Sequence, residues 1–178
     1  MAFVDFQLKV DDISYWAKQY LEYDKGADEK AFEAARRIHG GDWSRSNLEV
    51  IVAWKSRRRI RLIADNSDSE IADALQLALI AKEPRSAFGV LMGLSGIAVP
   101  MASAILTAID QEKYTIIDYR AVEALSVPEI DYSNLKFYLH HYLPACKRMA
   151  RERNVDLRTF DRALWAWSEA KGKKGDIG

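Results

Sequence analysis

Hydrophobic residues recur at helical spacing along nearly the whole chain, and no stretch of useful length alternates between apolar and polar residues with a period of two. In residues 10–23, for example, Ile13, Trp16 and Tyr20 lie on one face of a helix. Further helices are predicted over residues 28–39, from Ser44 or Ser46 through Trp54, over 57–64, 70–82, 85–92 and 99–109, from Asp118, over 133–154 with a kink or break at Pro144, and over 157–170. The pattern predicts an all-α protein.

Caps and breaks separate these predicted helices. Gly40-Gly41 follows the second helix, where glycine supplies the left-handed conformation that helix C-termini often need. Ser67 or Ser69 is the predicted N-cap of a later helix. No internal repeat or linker divides the chain, so residues 1–172 are predicted to form one compact helical domain, followed by a flexible tail at residues 173–178.

Composition narrows the functional classes. The chain has 178 residues, of which 49% are hydrophobic and 29% charged, as in an ordinary globular protein. Its single cysteine, Cys146, excludes an internal disulfide, a four-cysteine iron–sulfur cluster and a cysteine-based zinc site within one chain. His140-His141 has no second ligand at useful spacing, so no metal site is predicted.

Apolar runs fall short of the roughly 20 residues that span a bilayer, and residues 1–10 do not resemble a signal peptide. We therefore expect a soluble, cytoplasmic monomer without a membrane partner.

Charge is balanced in total but sorted along the chain. Lys and Arg number 26, as do Asp and Glu, so the net charge of zero gives no support by itself to a nucleic-acid partner. The first helices are rich in acidic residues and the last two in basic ones. Five positive charges fall within residues 55–61: Lys55, Arg57, Arg58, Arg59 and Arg61. This run is either a solvated helix face or a surface that binds successive phosphates.

The most specific pattern lies in residues 91–125. It predicts a helix, a tight turn at Gly96, a second helix and, after a short loop, Asp118 at the start of another helix. The residues around the turn are Leu94, Ser95, Gly96, Ile97, Ala98, Val99, Pro100, Met101 and Ala102. In this order they resemble the hairpin of the helix-hairpin-helix DNA glycosylase superfamily, which has the endonuclease III and 8-oxoguanine glycosylase fold. Ser95 replaces the usual proline of that hairpin, and Ala98 replaces its second glycine.

The resemblance implies a glycosylase-like domain and a set of DNA-binding residues. The hairpin would direct backbone N–H groups at a phosphate of double-stranded DNA, and its contact residues would be Gly96, Ala98, Val99, Pro100 and Met101. Pro100 stands where lyase-active members have a lysine, and Asp118 follows 18 residues later, at the spacing of the family's catalytic aspartate. The implied enzyme is a monofunctional DNA N-glycosylase in which Asp118 assists the attack of water. Arg120 would be a second phosphate contact.

The same resemblance bears on cofactors and on the base pocket. The branches with an iron–sulfur cluster are excluded because their cysteines are missing, whereas a monovalent cation at the hairpin is compatible with the motif. Base excision requires the target base to leave the helical stack. Trp54, Tyr119 and Trp165 are candidates to contact that base, although most tryptophans of such a chain are expected to fill the core.

Plainer structural explanations stay open for several of these residues. Asp118 is also a suitable N-cap, and the Gly96 turn also suits simple helix packing. Asp161, near Arg158 and Trp165, is either a polar group of the pocket or, as we expect, part of a surface ion pair. The predicted function is therefore base excision in DNA repair by a DNA-binding N-glycosylase. Two alternatives are a non-catalytic helix-hairpin-helix DNA-binding protein and a helical protein-interaction domain.

Overall fold

Helices account for almost all regular structure. The computed structural model describes residues 5–8, 12–126 and 130–175, with the backbone alone for residues 172–175. The α-helices in these ranges are α1 (Ile13–Asp24), α2 (Ala27–His39), α3 (Arg45–Ser56), α4 (Asp68–Ile80), α5 (Pro84–Leu91), α6 (Val99–Ile109), α7 (Tyr119–Glu123), α8 (Leu135–Phe137), α9 (Leu143–Glu152) and α10 (Leu157–Gly175). A 3₁₀ helix, Arg57–Ile63, follows α3, and a π-helical segment, Tyr138–Tyr142, joins α8 to α9. The predicted all-α class is confirmed.

Most helix boundaries follow local sequence features. The helix α6 has the predicted bounds. Ser67 caps α4 through a capping box, in which its hydroxyl accepts from the amide of Glu70 while the Glu70 carboxylate accepts from the amide of Ser67. The predicted start of α1, at residues 10–11, lies outside the described residues.

The last two predicted helices match the structure in part. The helix expected over residues 133–154 is helical without a gap from Leu135 to Glu152, and its π-helical segment, Tyr138–Tyr142, ends just before Pro144 in the first turn of α9. Proline lacks the N–H that a regular helix needs at that position, so a change of helix type, and not a break, accompanies Pro144. The last helix continues to Gly175, beyond the expected end at Ala170 and into the predicted tail. Residues 176–178 of that tail lie outside the described residues.

The chain divides into two compact units. The central unit comprises residues 26–114, and the terminal unit comprises residues 1–25 together with residues 115–178. The single domain expected for residues 1–172 stays a prediction. The central unit contains α2 to α6 with the 3₁₀ helix, and the terminal unit contains α1 and α7 to α10.

The core of the central unit is built around α6. This helix is apolar around most of its circumference, and residues 101–108 are buried without exception. It packs against α2, α3 and α5, whose buried residues include Ile38, Ile51 and Phe88. A helix that is apolar on all sides belongs in a core. The turn at its N-terminal end is therefore attached to the most buried element of this unit.

The terminal unit has a core of aromatic residues and one isolated backbone bridge. The helix α1 packs along α10, and the ring of Phe6 meets that of Phe160 edge-on at 5.0 Å. Phe6 also forms an antiparallel bridge with Leu125, which ties the N-terminal segment to the end of α7. Across the described ranges, no helix is both long enough and apolar enough to cross a membrane.

Candidate functional site

The α5–α6 turn, residues 94–97, lies just before the buried helix α6. The amide of Ile97 donates to the carbonyl of Leu94 at 3.3 Å, and Gly96 has a φ of +80°. This bond and the left-handed third residue are typical of a type II turn, which favours glycine at that position. A Cβ at Gly96 would lie 2.5 Å from the carbonyl oxygen of Leu62. The turn therefore packs directly against the 3₁₀ helix, and position 96 has room only for glycine.

A buried side chain, Asn66, joins this turn to the end of the 3₁₀ helix. Asn66 is 6% exposed. Its Oδ1 accepts from the amide of Ser95 at 2.7 Å, and its Nδ2 donates to the carbonyls of Ser95 at 3.1 Å and of Ile63 at 2.9 Å. From the sequence alone, Asn66 is only part of the polar run, residues 65–67, that ends the helix predicted over residues 57–64. Sequence reasoning missed Asn66 because no local pattern connects it with a residue 29 positions later.

The predicted hairpin residues differ in how far they reach the surface. Ala98 is exposed, Gly96 and Pro100 are half-buried, and the side chains of Val99 and Met101 are buried. Among the described residues, the amides of Gly96 and Ala98 donate to no protein acceptor. Pro100 lies in the first turn of α6, where its missing N–H costs nothing. This region therefore offers a ligand backbone N–H groups and a helix N-terminus rather than side chains.

Four exposed arginine side chains project from the 3₁₀ helix beside the turn, namely Arg57, Arg58, Arg59 and Arg61. In the part of the chain that the structure describes, none of them forms a salt bridge or a side-chain hydrogen bond. Three of these arginines and Leu62 line an open depression of about 500 Å³. The buried residue Ile63 anchors the helix. The predicted basic run is therefore an exposed cationic surface that the described carboxylates do not neutralise.

Trp54 and Lys55, at the end of α3, are less accessible than this surface. Both side chains are half-buried. The Trp54 Nε1 donates to the Oδ1 of the buried Asp28 at 2.8 Å, and its ring meets Phe32 with centroids 5.7 Å apart. Trp54 therefore packs between α2 and α3, and its Nε1 gives the buried carboxylate of Asp28 a hydrogen-bond donor.

Asp118, in the terminal unit, begins α7. Its Oδ1 accepts from the amide of Ala121 at 2.9 Å, and the residue is 8% exposed. The backbone just before it is also held, because the hydroxyl of Tyr142 donates to the carbonyl of Ile116 at 2.9 Å. Asp118 is thus the N-cap of α7, and the hydrogen bond from the Ala121 amide orients its carboxylate.

Three predicted site residues meet in the terminal unit. The guanidinium of Arg120 lies 4.9 Å from the ring centroid of Tyr119 and 5.0 Å from that of Trp165. It also forms an ion pair with Glu169. The Tyr119 residue is 54% exposed. Arg120, predicted to contact a phosphate, thus has its charge paired within its own unit, and the partner on α10 was not identifiable from spacing.

A buried ion pair lies near the start of α10. The side chains of Arg158 and Asp161 are 3% and 6% exposed, and the Nη1 of Arg158 donates to the Oδ2 of Asp161. The Nη2 of Arg158 donates to the hydroxyl of Tyr20 at 2.9 Å. An ion pair was predicted for Asp161, but its surface location was wrong, because α1 covers this face of α10.

Cys146 and Tyr142 are fully buried residues with side chains of the types that act as nucleophiles or acids. Burial raises the pKa of the Tyr142 hydroxyl well above its usual value, and it also raises the pKa of the Cys146 thiol. Both groups are therefore protonated at neutral pH, and a thiol is a poor nucleophile in that form. Cysteine-based covalent chemistry has no support at this position.

The candidate residues thus form a turn with an arginine surface in the central unit and an aspartate at a helix start in the terminal unit. Across the described ranges, no group of three His, Cys, Asp or Glu side chains is arranged to hold a metal ion. The helix-hairpin-helix resemblance rests on residues 94–102 and on the spacing to Asp118. Comparison of the chain with models of protein families, with curated proteins and with solved structures found no match.

Proposed function

We propose that this protein binds double-stranded DNA through the α5–α6 turn and the arginine-bearing 3₁₀ helix, and that it hydrolyses an N-glycosidic bond with the help of Asp118. The observation that carries the proposal is the direct packing of the turn against the 3₁₀ helix, at Gly96 and Leu62. This packing places the 3₁₀ helix with the exposed arginines against the turn, whose Gly96 and Ala98 amides have no acceptor among the described residues.

The chemistry of this surface suits a phosphate backbone. Arginine binds phosphate oxygens through charge-assisted hydrogen bonds, and N–H groups at a helix N-terminus bind the same oxygens. Such contacts position a duplex without reading its sequence. Because the formal net charge is zero, long-range attraction to DNA should be modest. The affinity should come from local contacts and should fall steeply with salt.

The hydrolytic part of the proposal rests on Asp118 and on its spacing from Pro100. The oxygen of a water molecule would bond to C1′ of the deoxyribose while the bond from C1′ to the base nitrogen breaks, and the electron pair of that bond would leave with the base. The Asp118 carboxylate would stabilise the positive charge on the sugar and accept the proton of the water, which then passes to the departing base. Pro100 has no amine, so no Schiff base forms at that residue.

Removing two charges from the 3₁₀ helix tests the DNA-binding part. Replacing Arg58 and Arg59 together with glutamine is expected to weaken binding to a mixed-sequence duplex about 10-fold or more, because two phosphate contacts are lost. The slope of log K, where K is the association constant, against log salt concentration is negative, and its magnitude should decrease by about 1 to 2. Fluorescence anisotropy of a labelled duplex over a salt series measures both quantities.

A matched control removes the same charge elsewhere in the central unit. Arg36 and Arg37 lie on α2, where they pair with Glu29 and Glu33. Their joint replacement with glutamine should leave the salt slope close to that of the wild type. An equal loss in both double variants would mean that total charge, and not the surface beside the turn, determines binding. An unchanged slope in the Arg58 and Arg59 variant would contradict the proposed interface.

Asp118→Asn tests the catalytic part. Asparagine caps helices as well as aspartate does, so α7 should stay intact while the negative charge is lost. Base release from duplexes carrying 8-oxoguanine, an alkylated purine or uracil is expected to fall at least about 100-fold for whichever substrate the wild type processes. The release of free base, measured by chromatography, reports the rate. Borohydride should trap no covalent adduct between the protein and DNA.

Asp156→Asn is a suitable control for Asp118→Asn. Asp156 also caps a helix of the terminal unit, because its Oδ1 accepts from the amide of Thr159 at 2.7 Å. This substitution should leave base release unchanged. Base release that survives intact in the Asp118 variant would refute the role proposed for that carboxylate.

The second candidate function is DNA binding without catalysis. It is favoured by the hydrogen bond from the Ala121 amide to Asp118, because that bond gives the carboxylate a structural role of its own. Salt-dependent duplex binding without release of any base in the substrate panel would support this candidate. The same two measurements therefore separate it from the glycosylase.

A further inference from the structure

We propose that Asn66 is a positioning residue that holds the α5–α6 turn against the arginine-bearing 3₁₀ helix, so that both bind neighbouring phosphates as one rigid surface. This inference rests on the proposed DNA binding of the central unit. It assigns a role to a residue that contacts no phosphate itself. Asn66 acts on binding by fixing the spacing between the amides of the turn and the arginine side chains.

The hydrogen bonds of Asn66 connect the two parts of the surface. Its amide nitrogen donates to Ile63, the last residue of the 3₁₀ helix, and to the carbonyl of Ser95 in the turn. Its oxygen accepts from the amide of the same Ser95. Three hydrogen bonds from one buried side chain fix both its position and its orientation. The turn and the 3₁₀ helix are therefore linked through a group that has little freedom to move.

The contact between Gly96 and Leu62 reinforces this link at the next residue of the turn. The two backbones are so close that a Cβ at position 96 would overlap the carbonyl group of Leu62. Phosphates along a DNA strand are regularly spaced, so a surface that contacts several of them benefits from a matching, fixed arrangement. A surface ordered before binding avoids the entropy loss of ordering its parts on the DNA.

The serine at position 95 fits this role. The second residue of a type II turn favours proline, because proline already has the required φ. Proline has no N–H, however, and could not donate to Asn66. Ser95 retains the amide that bonds to the Asn66 Oδ1 at 2.7 Å. Ser95 and Asn66 therefore form a linked pair, in which a side-chain bond takes the place of the rigidity that proline would supply.

Asn66→Ala tests the inference by the number of phosphates bound. The variant loses no positive charge, yet the magnitude of its salt slope for the mixed-sequence duplex should decrease by about 1. Binding at moderate salt should be about 5- to 10-fold weaker. Asn47→Ala is the matched control. Asn47 is also buried in the central unit, and its Nδ2 donates to the carbonyl of Asp42 at 2.9 Å. General destabilisation would lower the folded fraction in both variants without changing the slope.

Ser95→Pro is the second variant, because it breaks the bond to the Asn66 Oδ1 by replacing the amide hydrogen with a ring carbon, while it supplies the φ that type II geometry favours at this position. Its salt slope should also fall, while circular dichroism confirms a helical fold. A wild-type slope in folded Asn66→Ala and Ser95→Pro would overturn the positioning role but leave the proposed DNA binding intact. A wild-type protein that binds no duplex at low salt would instead overturn the proposed DNA binding itself, and the positioning role with it.

Discussion

Replacing Gly96 with alanine is expected to lower the free energy of unfolding by about 2–5 kcal/mol, as the sum of two penalties. The φ of +80° lies in the left-handed region, which disfavours any residue with a Cβ. The new Cβ would also lie 2.5 Å from the oxygen and 2.6 Å from the carbon of the Leu62 carbonyl. Backbone atoms cannot move aside as a flexible side chain can, so the turn or the 3₁₀ helix must shift. Urea unfolding followed by circular dichroism measures the loss.

Gly89→Ala provides the matched control for Gly96→Ala. Gly89 lies inside α5, is exposed and has nothing within 4 Å of the position of a new Cβ. Alanine there should raise stability by about 0.5–1 kcal/mol, because it lowers the conformational entropy of the unfolded chain and favours the helix. A Gly96→Ala protein as stable as the wild type would show that the turn does not pack against Leu62 in solution.

Replacing Asp161 with asparagine is expected to lower the free energy of unfolding by about 3 kcal/mol or more. The substitution takes the carboxylate of Asp161 away from the guanidinium of Arg158, which is only 3% exposed. The hydrogen bond to Tyr20 stays, but the desolvation of the buried charge is no longer compensated by the ion pair with Asp161. Thermal or urea unfolding of the variant measures the effect.

Two further variants, one at this pair and one at an exposed pair, separate the effect of burial from that of charge. The joint replacement of Arg158 with methionine and Asp161 with leucine removes both charges and should recover most of the lost stability. At the exposed pair of Arg37 and Glu33, a Glu33→Gln change should cost less than about 1 kcal/mol. A loss at Asp161→Asn no larger than at Glu33→Gln would contradict the burial of the Arg158 pair.

The helices were predictable where the information is local. The helix α6 was predicted with its observed bounds, because Pro100 marks its first turn and apolar residues fill it to Ile109. The capping box at Ser67 and Glu70 sets the start of α4 within three residues. The sequence predicted a kink or break at Pro144, and the structure has a π-helical segment that ends two residues before it, in a helix without a gap. The end of α10 was less predictable, because glycine and lysine near a terminus suit either a frayed helix or an ordered one.

The candidate site was predictable in part. Gly96 and the basic run were identified because each is a pattern within a few residues of chain. Their packing against each other, and the bonds of Asn66 to the turn, were not predictable, since residues 57–66 and 94–98 are separated by two helices. Local sequence carries no record of which helix faces meet.

By itself, the sequence determined the helical class, most helix boundaries, the glycine-dependent turn and the clustering of positive charge at residues 55–61. Only the tertiary structure decided which charges are available to a ligand. The arginines of the 3₁₀ helix are exposed, whereas Arg120 pairs with Glu169 and Arg158 with Asp161 on a face covered by α1. The physical reason is that burial and ion pairing act over a few ångströms in space, and helix packing brings together residues that are far apart in the chain.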